Sequence, residues 1–408
     1  MTFPVQKIEI GFNLTGSNAP LFTLDNAVKG VLDNTEFPLS GTIFFDVTAK
    51  VKSVAIQRGK NRQFGQFDAG LANVVFLNND RTFDPEYEQS PFFGQIIPKR
   101  SIRISSAGRR TFTGIIDDWN LSYDISGLSE ASAACSDAFS VFNNQVLSAQ
   151  TFTAQTSGER VSAVLDDPNV NWNAADRSIE TGQSVFSTDS VEENTNALTY
   201  LRQIEASEPG QLFVGKNGNL TFKDRNPSAG SSFLTFSDNE NGIGYETMQV
   251  VYGSELLHNE IILTNLSGTT VTVTDEESIA EYGRFVFNYD KSLVDSAETL
   301  ANIALLLANA YSQPEYRFES LSITLDKFDL ATQTQILDLE IGIVVEVQFT
   351  PNKIPPAIIK LVEITRIDHA ISPASHIVTF GFSTIDKGPW TLSDAAFGRL
   401  SANNVLSF

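Results

Sequence analysis

The sequence predicts a mainly β protein of several domains carrying one α/β insert, and three observations lead there. Of 408 residues, 30 are Phe and 2 are Met, with 41% hydrophobic against 19% charged. That composition leans towards sheet and away from a helix bundle, a coiled coil or disorder. Short runs of period-two alternation recur in the first and last thirds of the chain, whereas the middle switches to helical periodicity.

The elements follow in order. Lys7-Ile8-Glu9-Ile10-Gly11-Phe12 alternates, Leu71 to Leu77 reads as a buried strand, and Ser101 to Ser105 alternates again before a turn at Ala107-Gly108-Arg109 leads into Phe112 to Trp119. Between these strands Asn78-Asn79-Asp80-Arg81-Thr82-Phe83-Asp84-Pro85 is dense in turn formers and predicts a rigid, exposed loop. Ser157 to Asp166 and Asn194 to Glu205 read as amphipathic helices, the second with Asn or Thr available as N-cap. Ser207-Glu208-Pro209-Gly210 stops that helix, and Asn217-Gly218 between two apolar runs spells a tight hairpin. Strands return at Glu260 to Thr264 and Thr270 to Thr274, a helix is expected over 292–311, and Ser320 to Leu325, Ile343 to Phe349, Ile358 to Ile367 and Ile377 to Phe382 complete a second β-rich unit. The expected domains are 1–150, a first β-rich unit; 151–250, the α/β insert; 251–390, the second β-rich unit with one long helix; and a tail over 391–408.

Charge is uneven. Lys plus Arg number 28 and Asp plus Glu 49, a formal net charge of −21, which argues against a general nucleic-acid or anionic-membrane binder. Residues 50 to 110 nevertheless hold eleven bases against five acids, and residues 255 to 346 sixteen acids against four bases. Such lobes are either solvated faces or surfaces meeting opposite charge. No run of about 18 apolar residues is present to span a bilayer, and the N-terminus lacks the pattern of a signal peptide, so folding in a cytosol is expected.

Chemistry is sought without success. Cys135 is the only cysteine and sits in an apolar stretch, so no intrachain disulfide forms and a buried thiol is expected. His258, His369 and His376 lack metal-ligand spacing. Asp117-Asp118, Asp166-Asp167 and Glu192-Glu193 read as solvated acids, since neighbours on a strand point to opposite faces. Asn78 to Glu88 and Asp238 to Glu246 lack the glycine of a helix-loop-helix calcium site. Neither a catalytic group, a metal site nor a cofactor is expected. A weak repeat is visible: Ser101 to Ile104, Phe112 to Trp119 and Cys135 to Phe139 recur in order as Val344 to Val347, Ile359 to Ile367 and Val378 to Phe382, as if one small barrel occurred twice.

The ordered set Ala72 to Pro85, Ser90-Pro91-Phe92-Phe93-Gly94, Ile97 to Ile104 and Phe112 to Trp119 resembles minor tail proteins of long-tailed bacteriophages. Ala175 to Gly182, Asn196 to Val214, Gly218 to Arg225, Leu337 to Val347 and Val362 to Ser372 continue the resemblance. It implies a multi-domain tail-tip or baseplate hub: three chains, each giving two β-barrel tube domains, form a ring that matches a sixfold tail tube or distal tail ring above and a threefold central fibre or spike below. Tape-measure protein and DNA would pass through in transit, in a virion assembled in the bacterial host cytoplasm. The interface residues it implies are Asp80, Arg81, Phe83, Asp84, Pro85, Arg100 and Arg103. A hexameric distal-tail adaptor and a carbohydrate-binding adhesin using Trp172, Phe92 and Phe93 are the alternatives.

Overall fold

The computed structural model describes residues 3–12, 43–60, 66–225, 234–239 and 241–384, with short strand pieces at Gly388–Pro389 and Asn404–Val405. Arg62 of the basic segment and most of the tail from 391 lie outside the described residues. The fold is mainly β, and its backbone is a 13-stranded sheet.

In the first lobe the strands are β1 (Gln6–Phe12), β2 (Ile43–Asp46), β3 (Val51–Gly59), β4 (Asp68–Leu77), β5 (Ser101–Ser106), β6 (Arg109–Tyr123) and β7 (Ser129–Ser136). Alternate residues of each turn inward, because side chains on a strand alternate between faces. Ile8, Ile10, Val54, Ile56, Val74, Phe76, Ile102, Ile104, Phe112, Ile116, Ala131, Ala133 and Cys135 share one buried cluster, so the sheet curls around it. Among the described residues the curl does not close into a barrel: the strand order ends at β2 on one side and at Thr247–Gly253 on the other.

The repeat expected from sequence is visible as strand order. The first lobe runs β3, β4, β7, β6, β5, β1; the second runs Thr247–Gly253, Glu315–Thr324, Ser375–Thr384, Ile358–Ser372, Val344–Phe349, Thr235–Ser237. Only the last strand differs in direction, antiparallel in the first lobe and parallel in the second. Detail matches as well. β6 and Ile358–Ser372 are both 15 residues long, and each is bulged against its partner, between Ile116 and Asp118 in one and Ile364 and Arg366 in the other. The N–H of Ile116 donates to Arg100 O and that of Ile364 to Ile343 O, at 2.8 and 2.9 Å. Ile116 and Ile364 are therefore equivalent.

The second lobe shares a single core with the middle of the chain. There α1 (Phe139–Phe142) leads to α2 (Ser157–Leu165), whose N-terminus is fixed by a capping box in which Thr156 and Glu159 bond each other's backbone. Next, α3 (Ala197–Ser207) is capped by Asn196, whose Oδ1 accepts from Thr199 N at 2.9 Å. The hairpin Gln211–Val214 and Leu220–Lys223 turns at Gly218, where φ is +90°. Two helices were not expected, α4 (Glu276–Tyr282) and, later, α6 (Leu330–Asp338). Between them α5 (Ala297–Tyr311) starts five residues later than its apolar stripe suggests, because Val286–Ser292 is a strand and Ser296 supplies the cap.

The two lobes meet at a strand that serves both. The first half of Ile358–Ser372 pairs with Val344–Phe349, and its second half pairs with β3, Arg366 opposite Gly59 through Ile371 opposite Val54. Gly59 has φ +115°, and an added Cβ would lie 2.2 Å from Thr365 O, so only glycine fits this crossing. Beneath it Arg58, 4% exposed, donates to Val214 O at 3.1 Å and to Glu340 Oε1 at 2.7 Å. Glu340 also accepts from the N–H groups of Lys216 and Ile341 at 2.9 and 3.0 Å. Burial opposes its charge, yet Arg58, Lys216 and these bonds hold the carboxyl below its usual range. Nearby, His369 Nδ1 and His376 Nε2 lie 3.0 Å apart, and His376 Nδ1 is 3.1 Å from Ser106 Oγ and 3.3 Å from Gln6 Nε2. Since an amide N–H donates, His376 Nδ1 accepts and its Nε2–H donates to His369.

Two outcomes are expected. Glu340→Ala leaves a guanidinium buried without its acid and costs about 3 kcal/mol in urea unfolding, part of which Arg58→Met in the same chain restores; a loss under about 1 kcal/mol would mean that water reaches Arg58. Burial holds both histidines neutral, His376 down to about 4 despite the opposing pull of Asp326, and His369 further down because a proton on it would be repelled by Arg58, Lys216 and any proton on His376. The unfolded chain therefore takes up protons that the folded chain refuses, and stability falls as pH drops from about 6.5 towards about 4. His376→Gln should flatten that slope in unfolding midpoints measured over this range.

Candidate inter-protein surface

The loop after β4 is built from its own side chains. Asn78, fully buried, accepts from Phe83 N at 2.8 Å, and Asn79 accepts from Ser129 N at 2.8 Å, tying the loop to the start of β7. Phe83 is fully buried, 4.4 Å from the Phe76 ring centroid, 5.8 Å from Trp119 and 6.1 Å from Phe92. Asp84 is buried and accepts from Arg81 Nε at 2.7 Å, Tyr123 OH at 2.8 Å and Glu86 N at 2.9 Å. Burial works against its charge, but these three donors keep the carboxyl below its ordinary range. Tyr123 is shifted the other way by burial and by the adjacent Asp84 carboxylate.

The residues singled out by sequence thus divide. Asp80 and Arg81 are exposed, Asp80 paired with Lys50 and Arg81 lying over the Tyr87 ring. Phe83 and Asp84 are internal braces, and Pro85 is half-buried beside them. Arg100 donates to Gln95 Oε1 at 2.7 Å, and Arg103 lies over the Phe44 ring at 3.6 Å, each away from the Arg81–Asp84 pair. Sequence reading named Phe93, which is exposed, but missed Leu77, Ile97, Tyr123, Ile125 and Leu128, large apolar residues exposed on this loop, on β4 and on the β6–β7 turn. Apolar residues flanking Ser126-Gly127 at a turn are the signal that could have found the last of them, since turns are ordinarily polar.

The basic segment is largely answered within the chain. Lys52 pairs with Glu130, Lys99 with Asp117 at 2.6 Å, and two cations reach into the acidic segment, Arg58 to Glu340 and Arg109 to Asp338 at 2.8 Å. Of the three acid pairs, Glu192-Glu193 and Asp118 are exposed as expected, whereas Asp117, Asp166 and Asp167 are tied to neighbours and Asp167, expected to be solvated, is buried. Asp117 also accepts from Ser136, Asp166 pairs with Arg177 at 2.7 Å, and buried Asp167 accepts from Ser148 N and Oγ and Gln150 Nε2. Cys135 is buried, which pushes its thiol pKa up. A cavity of about 190 Å³ between α3 and α5 holds Lys60 and Glu205. Glu205 is raised to about 7 by burial and accepts from Leu212 N at 3.0 Å. Of the aromatics considered for sugar binding, Phe92 is half-buried 4.5 Å from Phe12 and Trp172 packs 4.7 Å from Phe142, so only Phe93 is exposed.

The fold is shared with solved structures of phage tail proteins. A 43 kDa tail protein of prophage MuSo2 from Shewanella oneidensis is 15% identical with a TM-score of 0.56, covering 84% of this chain and 96% of that one. A tail protein from Neisseria meningitidis MC58 is 11% identical with a TM-score of 0.57, covering 84% and 94%. No protein-family model matches the chain, and no curated protein does. Removing the ring at the centre of the loop, Phe83→Ala, should cost about 3–5 kcal/mol and open Lys99 and Arg100 to limited trypsin cleavage; unchanged cleavage would mean that the polar bonds alone hold the loop.

Proposed function

We propose that this chain is a structural protein of a phage-type tail and forms the hub ring at its tip. The observation that carries the reading is the duplication: one six-strand order occurs twice in one chain, joined through a common strand. Three such chains offer six related units, the simplest way for a trimer to match a sixfold tube while presenting threefold symmetry to a fibre or spike. Residues 1–150 and 251–390, the latter with the strands of 235–253, are the two tube-type domains, and the α/β segment before them in the second copy is an outer insert. Partners on this reading are two further copies, the distal tail ring or tail tube protein, the central fibre or spike, and the tape-measure protein and DNA in transit. The exposed apolar residues near Asp80 and Arg81, with Phe83, Asp84 and Pro85 bracing them and Arg100 and Arg103 on the flank, form the contact surface to an axial neighbour. On this reading the chain's excess of acids extends to the lumen of the ring, so that DNA passes without adhering. Among the described residues no helix is long and apolar enough to cross a membrane.

Light scattering after gel filtration over a wide concentration range tests the assembly. A mass of three chains is expected; six chains would favour a distal-tail adaptor instead.

A further inference from the structure

The crossing between the two lobes is a template that the chain uses once and leaves half-made twice. Past Ile116, β6 pairs with β7 on one side, but among the described residues its other edge meets no strand, because β5 pairs only as far as Ile115. In the second copy the equivalent edge, Arg366 to Ile371, is the one that pairs with β3. Conversely, among the described residues Thr247–Gly253, the equivalent of β3, pairs with Glu315–Thr324 on one side only. One chain therefore carries both halves of its internal crossing as open edges.

We propose that residues Asp118–Tyr123 of one protomer pair antiparallel with Thr247–Gly253 of the next, in the register of the internal crossing. The inference rests on the ring reading above for its occupant, a second copy of this chain. The bulges align Asp118 with Arg366 and Tyr123 with Ile371, and the strand ladders align Val54 with Met248 and Gly59 with Gly253. Transferring Arg366–Gly59 through Ile371–Val54 then sets Asp118 opposite Gly253, Trp119 opposite Tyr252, Leu121 opposite Val250, Ser122 opposite Gln249 and Tyr123 opposite Met248.

Two independent observations support this register. The first is burial. Inward positions of the internal crossing are closed, Ile371 at 6% exposed and Ile56 at 1%, whereas Tyr123 is 55% and Tyr252 69% exposed and Trp119, Leu121, Met248 and Val250 are only half-buried. The transferred register faces these apolar residues towards one another, as cross-strand pairs do. The second is Gly253. At the internal crossing Gly59 is compelled by the Thr365 carbonyl, but an added Cβ on Gly253 meets only Val251, at 3.9 Å. Gly253 lacks the left-handed backbone of Gly59, but no described residue crowds the space beside it, which leaves room for a neighbouring β6 to approach as Ile358–Ser372 does. Each chain gives one edge and receives the other, a heterologous contact that closes into a ring and covers both of these edges.

Cysteine pairing in the full chain tests the contact, the native Cys135 being buried. Ser122→Cys with Gln249→Cys should give interchain disulfides under mild oxidation, and Ser122→Cys with Val250→Cys should not, because one residue of slip turns the thiols to opposite faces. Gly253→Val should leave the melting temperature unchanged and abolish self-association in light scattering. Cross-linked rings of three support both readings, and cross-linked rings of another size keep the pairing and remove the hub. Trimers without the Ser122–Gln249 disulfide keep the hub and overturn the pairing, as does a chain that stays monomeric at all concentrations.

Discussion

The architecture hangs on one crossing, where β3 lies against the second half of Ile358–Ser372 with Arg58 buried below it. Antiparallel pairing supplies the hydrogen bonds, but the crossing is specified by charge and space. Arg58 must find Glu340 and the Val214 carbonyl, or a guanidinium is stranded out of water at a cost no neighbouring apolar contact offsets. Gly59 must lack a side chain, or the Thr365 carbonyl cannot approach. Because Arg58 belongs to the first lobe, Val214 to the middle segment and Glu340 to the second lobe, one ion pair fixes the mutual position of three stretches of chain.

That arrangement reconciles two demands on a duplicated sheet. Each copy curls round its own apolar cluster, yet Ile371 from the second copy enters the core of the first, so the copies do not act as beads on a string. The histidine pair adds to the seam on the same terms. His369 and His376 stay neutral because they are buried against one another and against Ser106 and Gln6, and a neutral pair at a seam holds only while the solvent is not acidic.

The opposed charge lobes have a related logic. Segments that look like unmatched patches in sequence partly neutralise each other across the fold, through Arg58 with Glu340 and Arg109 with Asp338. The first of these is buried and sets position; the second is exposed and adds little stability. What remains is a strong net negative charge, which opposes non-specific association, while the exposed apolar residues include Tyr123, Ile125 and Leu128 about the β6–β7 turn and Tyr252 on Thr247–Gly253.

Much of this is legible locally. Alternation marked the strands of both lobes, the Asn217-Gly218 turn and the cap at Asn196 marked elements of the insert, and the loop of Asn78 to Pro85 is as tightly braced as its turn formers require. The duplication showed as three matching runs. The helices α4 and α6 did not, being short, polar and without a clear apolar stripe. The loop residues Phe83 and Asp84 were found by composition, but their inward orientation was not, and Tyr123, which completes the Asp84 site, lies 39 residues away. The sequence by itself determined which residues of each strand face inward, because that needs only the period-two geometry of the backbone. Tertiary structure alone decided which edges meet: Arg366 lies opposite Gly59 across three hundred residues of chain, and a register set by one buried ion pair and one missing Cβ leaves no trace in any local window of sequence.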